Sequence, residues 1–142
     1  MPSTDEIFAD AQARRSEMQA IETALDNQIR KIDKKLHPGK DLTDAEREAL
    51  GNEQDTLRDG IIDLNVQMER LAYITLEKLD SAADLRDLCN RVDKVIAGLG
   101  KINGKIKKYA AIATKVTSVL TGVAKLKDDL AGLGIGGQDG NA

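Results

Sequence analysis

Apolar side chains recur along this chain at alternating steps of three and four residues, and charged side chains fill many of the positions between them. Because an α-helix turns once every 3.6 residues, this spacing places the apolar side chains on one face of a helix. Three segments show the pattern, at about residues 4–36, 44–97 and 105–131, and we predict a helix in each. The expected fold class is therefore all-α.

Local signals mark the ends of the first two helices. Ser3 is followed by Glu6, and Thr43 by Glu46, which is the spacing of a capping box. In a capping box, each side chain accepts a hydrogen bond from the other residue's free backbone N–H. The first helix should end at the His-Pro-Gly sequence of residues 37–39, because proline disfavours helix in the residue before it and glycine readily ends one.

The middle segment keeps an unbroken heptad pattern from Leu57 to Leu99. Read as one helix, it would be about 80 Å long. Ser81 followed by Asp84 has the spacing of a new helix start, so a kink or a break near Ser81 is an alternative. We expect a continuous or kinked helix because the heptad phase survives this point. A compact bundle with a break at Ser81 is the second possibility.

Short connections favour antiparallel packing, so the predicted architecture is an elongated, coiled-coil-like bundle of three antiparallel helices. The glycines at 98, 100 and 104 predict a turn before the third helix. Residues 1–133 would form one helical domain. The Gly-rich residues 134–142 would be a flexible tail.

Two groups of uncharged residues lie outside the main apolar seams. A helix that is apolar on several sides needs more than one neighbour, and small residues let another helix approach closely. We therefore expect a protein interface on the middle and third helices. Its candidate residues are Ile62, Val66, Tyr73 and Leu76, together with Ala111, Thr114, Ser118, Thr121 and Gly122.

Composition and charge refine this picture. The chain has one Phe, two Tyr and no Trp, so any core must be built from Leu, Ile, Val, Met and Ala. Residues 1–100 hold 14 Lys and Arg against 21 Asp and Glu, a balance of −7, whereas residues 101–142 hold 7 Lys against 3 Asp, a balance of +4. Either the acidic and basic parts attract each other within one bundle, or the lysines form a surface for anionic lipid or nucleic acid.

Residues 109–124 carry a single charge, Lys115, which raises the question of a membrane segment. A spanning helix needs about 20 apolar residues, and lysines interrupt this stretch sooner, so we do not expect one. The alternative is a basic amphipathic helix that lies on an anionic membrane, as in helical pore-forming toxins. Its lipid-binding residues would be Lys101, Lys105, Lys107, Lys108 and Lys115.

The sequence offers little chemistry. His37 is the sole histidine, Cys89 occupies a heptad core position, and neither has partners at catalytic or metal-binding spacing. We predict no catalytic residue, no cofactor and no metal. The basic segment, residues 101–127, contains lysines but no arginine, and the rest of the chain is acidic, which argues against nucleic acid as a partner.

The first residues lack the basic and apolar regions of a signal peptide. The expected location is the cytoplasm, although export that needs no signal peptide stays open. The sequence predicts a non-enzymatic interaction module that self-associates or binds a protein partner, as an adaptor, chaperone, immunity protein or structural subunit would. The alternative function is a membrane-active, toxin-like protein.

Overall fold

Four α-helices form the part of the chain that the computed structural model describes, residues 3–37, 41–75 and 79–133, and no strand occurs there. Helix α1 spans Thr4–Leu36, α2 spans Asp44–Ala72, α3 spans Ala82–Lys105 and α4 spans Ala110–Ala131. The all-α prediction is confirmed, but the prediction of three helices is wrong. The predicted tail, residues 134–142, lies outside the described residues.

Both predicted capping boxes are present. The Ser3 hydroxyl accepts from the Glu6 N–H at 3.2 Å, and the Ser3 N–H donates to the Glu6 carboxylate at 3.1 Å. Thr43 and Glu46 make the same pair of bonds, at 3.1 and 3.0 Å. The backbone N–H that each carboxylate accepts from lowers the pKa of both glutamates.

The predicted long middle helix is instead two helices that fold back on each other. Helix α2 ends at Ala72, and Ser81 caps α3 by accepting from the Asp84 N–H at 3.2 Å. The heptad spacing does not exclude such a break. Two antiparallel helices that each bury an apolar seam need the same spacing of apolar residues as one long helix does. Folding back buries apolar side chains of α3, among them Leu88 and Val95, in the same core as α2.

The predicted turn at residues 98–104 is also wrong, since α3 continues through these glycines to Lys105. Glycine inside a helix costs about 1 kcal/mol relative to alanine. Leu99 and Ile102 are fully buried between these glycines, and burial of each contributes about 1.5–3 kcal/mol. Packing therefore outweighs the local preference. The true turn is at residues 106–109.

The helices pack in a ring, with α1 between α2 and α4, and α3 between the same two helices. Residues late in one helix contact residues early in the next, so each neighbouring pair is antiparallel. Examples are Gln54 with Ile29, Asn103 with Thr117, and Gly122 with Arg14.

The core is aliphatic, as the composition predicts. Among the described residues, its buried hydrophobic side chains are Ile, Leu, Val, Met and Ala only. Two glutamines are buried with them. Gln54 donates to the Ile29 carbonyl at 3.0 Å and to the Asp33 carboxylate at 2.6 Å. Because sliding the helices would leave its buried amide unsatisfied, Gln54 fixes the register of α1 on α2.

Candidate interaction surfaces

The outer face of α2 exposes branched apolar side chains, which we call the α2 surface. Ile62 is 60% exposed, Val66 39% and Tyr73 57%, and all three lie on one side of the helix. Leu76, which the sequence places with them, lies outside the described residues. Large exposed apolar groups that lie next to one another mark contact sites more often than isolated ones do.

A groove between α2 and α3 borders the α2 surface. Val66 and Ala97 lie on its two sides, Gly98 lines it, and its rim carries Lys94 and Lys101. Gly98 is required there, because a Cβ at this position would overlap the buried side chain of Gln67. The missing side chain at Gly98 therefore leaves room for Gln67 and lets α2 and α3 approach closely beside the groove.

Two arginine side chains make contacts between α2 and α3 along this face. The Arg70 guanidinium donates to the Gln67 side chain at 2.9 Å and reaches the Lys94 carbonyl at 3.5 Å. Nearer the α2–α3 connection, Arg91 of α3 lies 5.0 Å from the centroid of the Tyr73 ring. A guanidinium at that distance from a ring makes a favourable cation–π contact, so Tyr73 is held against α3.

The outer face of α4 carries small uncharged residues alongside the exposed Lys115 and Lys125, and we call Ala111, Thr114, Ser118 and Thr121 the α4 surface. The Thr114 hydroxyl donates to the Ala110 carbonyl at 2.9 Å, and the Thr121 hydroxyl donates to the Thr117 carbonyl at 3.1 Å. These hydroxyls are satisfied within their own helix. The surface therefore leaves no threonine hydroxyl in need of a partner.

Gly122, which the sequence also assigns to the interface, faces a neighbour within the chain. A Cβ at Gly122 would overlap the side chain of Arg14 on α1. Arg14 is itself held by Asp10 at 3.5 Å and by Glu17 at 2.8 Å. The small size of Gly122 is thus explained by the contact between α1 and α4.

The lysines proposed to bind lipid are divided among three elements. Lys101 and Lys105 belong to α3, Lys107 and Lys108 to the α3–α4 connection, and Lys115 to α4. The premise of a single basic third helix is therefore wrong, because the turn falls after Lys105 and not before it.

Acidic residues of the bundle neutralise part of this charge. Lys105 pairs with Asp63 at 3.5 Å and Lys108 with Glu53 at 3.2 Å, both on α2. Lys127 of α4 pairs with Asp93 of α3 at 2.7 Å, which raises the pKa of the lysine. These pairs fit the interpretation in which acidic and basic parts attract each other within one bundle.

Neither His37 nor Cys89 lies in a reactive cluster within the described residues. His37 is exposed at the end of α1. Cys89 is half-buried, and burial raises the pKa of its thiol, which disfavours the nucleophilic thiolate. Across residues 3–37, 41–75 and 79–133, no group of three or more His, Cys, Asp or Glu side chains is placed to hold a metal ion.

Comparison with known proteins identifies no relative. No protein-family model matches the chain, and neither the curated proteins nor the solved structures contain a significant match. Within the described residues, no helix is long and apolar enough to cross a membrane. Function must therefore be argued from the surfaces themselves.

Sequence reasoning missed the groove beside the α2 surface. The sequence predicts Lys94 and Ala97 at the end of a long helix and Gly98 in a turn, which gives no indication that they lie beside Val66. The available signal was that Leu99 and Ile102 continue the three-residue and four-residue steps of the preceding helix across the glycines. A helical reading of residues 98–104 would have followed from that spacing.

Proposed function

We propose that this protein is a non-enzymatic interaction module that binds protein through the α2 surface and the groove beside it. The observation that carries the proposal is the exposure of Ile62 and Val66 on a helix whose other side packs fully into the core. Covering such side chains contributes about 25 cal/mol for each Å² of apolar surface removed from water. The groove adds charged groups at its rim, which give a partner orientation and specificity.

The α4 surface is a second contact in this proposal. Its small side chains allow a partner helix to approach closely. The proposed setting is the cytoplasm, where a reducing environment would keep the partly exposed Cys89 as a thiol. The proposal covers self-association as well as binding to a different protein.

Site-specific photo-crosslinking in the producing cells tests the proposal. A photoreactive phenylalanine analogue would replace Ile62 in one variant and Gln19, which is exposed on α1, in the control. We expect discrete adducts at position 62, identified by mass spectrometry as this chain or one defined protein, and none at position 19. Equal, diffuse labelling at both positions would contradict the proposal.

The membrane-active alternative requires α4 to leave the bundle. Six buried side chains of α4 would then lose their packing, and each burial contributes about 1.5–3 kcal/mol. They are Ile112, Val116, Val119, Val123, Leu126 and Leu130.

Flotation with anionic liposomes separates the two functions. We expect the protein to stay below the vesicles at physiological salt. Flotation that persists at this salt, and that is lost when Lys107, Lys108 and Lys115 are changed to Gln, would establish the alternative.

A further inference from the structure

We propose that the occupant of the α2 surface is the α2 surface of a second copy, packed antiparallel across a two-fold axis that crosses the outer face at the level of Leu64. This inference rests on the proposed function and adds the identity of the partner. The groove rim that borders Val66 is largely basic, through Lys94 and Lys101. The outer face of α2 carries the exposed acids Asp55 and Asp59 beside its apolar side chains, so α2 of one copy offers negative charge to the basic rim of the other.

The register follows from contacts within one chain. Gln67 lies level with Gly98, Arg70 with Lys94, and Tyr73 with Arg91. In an antiparallel dimer, residues on the same edge of α2 face each other when they lie at similar distances from the level of Leu64, in opposite directions along the helix. Ile62 of one copy then meets Val66 of the other, and the two apolar side chains of each copy are covered.

The charges of the two copies match in this register. Asp59 of one copy approaches Lys94 of the other, because Lys94 lies level with Arg70, beyond Leu64. Asp59 and Lys94 are both exposed, and neither has an ion pair within 4 Å in the described part of the chain. On the other edge of the stripe, Arg58 faces Glu69. Each of these pairs occurs twice because of the symmetry.

A parallel dimer is less favourable on charge at the centre of the outer face. Asp55, which pairs with Arg58 of its own chain at 3.4 Å, lies near the centre of the outer face, so a parallel arrangement would set it against Asp55 of the other copy. Like charges that face each other across an interface oppose association. In the antiparallel arrangement Asp55 approaches Arg91 and Tyr73 instead. The antiparallel orientation is therefore the one that the charges favour.

Sedimentation equilibrium from about 1 µM to about 1 mM tests self-association. The monomer mass is 15.4 kDa, and we expect the mean mass to rise toward twice that value with concentration. Ile62→Glu should weaken the dimer at least about tenfold, because it buries a charge without a partner. Monomers at every concentration in the unchanged protein would overturn the inference.

A charge reversal tests the register. Asp59→Lys alone and Lys94→Glu alone should each weaken the dimer about tenfold, since like charges then meet twice. The double variant should return the dissociation constant to within about threefold of the original. Asp128→Lys, an exposed change on α4, is the matched control and should have no effect. A double variant that stays weak would overturn the antiparallel arrangement, because in a parallel dimer Asp59 faces Arg58.

The crosslinking experiment keeps this inference separate from the proposed function. Adducts at position 62 with a different protein, combined with a monomer in sedimentation, overturn the dimer and leave the interaction module standing. Absence of specific adducts together with a monomer overturns both. A concentration-dependent dimer with charge-reversal rescue supports both.

Discussion

The outer faces of α2 and α4 differ in what they leave to solvent. On α2, Ile62 and Val66 expose branched aliphatic groups beside a groove. On α4, Thr114 and Thr121 turn their hydroxyls onto their own backbone. Gly122 at the edge of α4 is already covered by α1. Uncharged side chains on an outer helix face can therefore reflect packing inside the chain, or an apolar surface that still lacks a cover.

The largest expected effect on stability comes from comparing the buried side of α2 with its exposed side. Leu64→Ala should reduce the free energy of unfolding by about 2–5 kcal/mol, because Leu64 is fully buried. Ile62→Ala should change it by less than about 0.5 kcal/mol in the monomer, because Ile62 is largely exposed. Urea unfolding at low protein concentration measures both. Similar losses for the two variants would mean that Ile62 belongs to the core.

The next effect compares the two glycines at close helix contacts. Gly98→Ala should destabilise the fold by about 1–3 kcal/mol, because Gln67 is buried and has little room to move. Gly122→Ala should cost less, because the Arg14 side chain is long and flexible. Gly100→Ala, with nothing near its Cβ, should stabilise the protein by about 0.5–1 kcal/mol and serves as the control. Thermal unfolding would rank the three variants, and equal behaviour of Gly98 and Gly122 would remove the distinction.

A third experiment asks which face mediates self-association. Thr114→Glu combined with Thr121→Glu places two charges on the α4 surface and should leave the sedimentation mass unchanged at all concentrations. Circular dichroism should show an unchanged helix content, because glutamate is a good helix former. If the mass falls to that of the monomer, the α4 surface is the self-association interface and the assignment to α2 is wrong.

The smallest expected effect is the loss of two helix-capping hydrogen bonds in acid. The capping residues belong to neither the α2 surface nor the α4 surface. The lowered pKa values of Glu6 and Glu46 mean that their contribution is present above the ordinary value of 4.5 and is lost as the pH falls through the folded values. The N–H groups that donate to these carboxylates belong to Ser3 and Thr43, so amide hydrogen exchange at Ser3 and Thr43, corrected for intrinsic rates, should accelerate as the pH falls. Burial raises the pKa of Glu22, which has the opposite sign and favours the folded state as it protonates.

A matched variant checks the origin of that pH effect. Glu6→Gln keeps a side chain that accepts the Ser3 N–H but removes the charge. Exchange at Ser3 should then be independent of pH after correction for intrinsic rates. An unchanged pH dependence in this variant would show that the carboxylate is not its source.

Local chemistry makes much of this fold readable from the sequence. The steps of three and four define the helical segments, and the hydroxyl residues Ser3, Thr43 and Ser81 mark three helix starts because each satisfies a backbone N–H within its own turn. The aliphatic core follows from a composition almost free of aromatics. The same pattern singled out Ile62, Val66 and Tyr73 as apolar residues outside the seam.

The tertiary structure alone decides how those segments are divided and which faces remain open. One long helix and two antiparallel helices satisfy the same heptad pattern, so only the packing of α3 onto α2 selects the break before Ser81. The glycines of α3 remain helical because Leu99 and Ile102 are buried beside them. The helical periodicity of the sequence shows which face of a helix a side chain lies on. Whether that side chain is exposed to solvent depends on whether another helix covers the face. For Ile62 and Val66 the four helices provide no such cover.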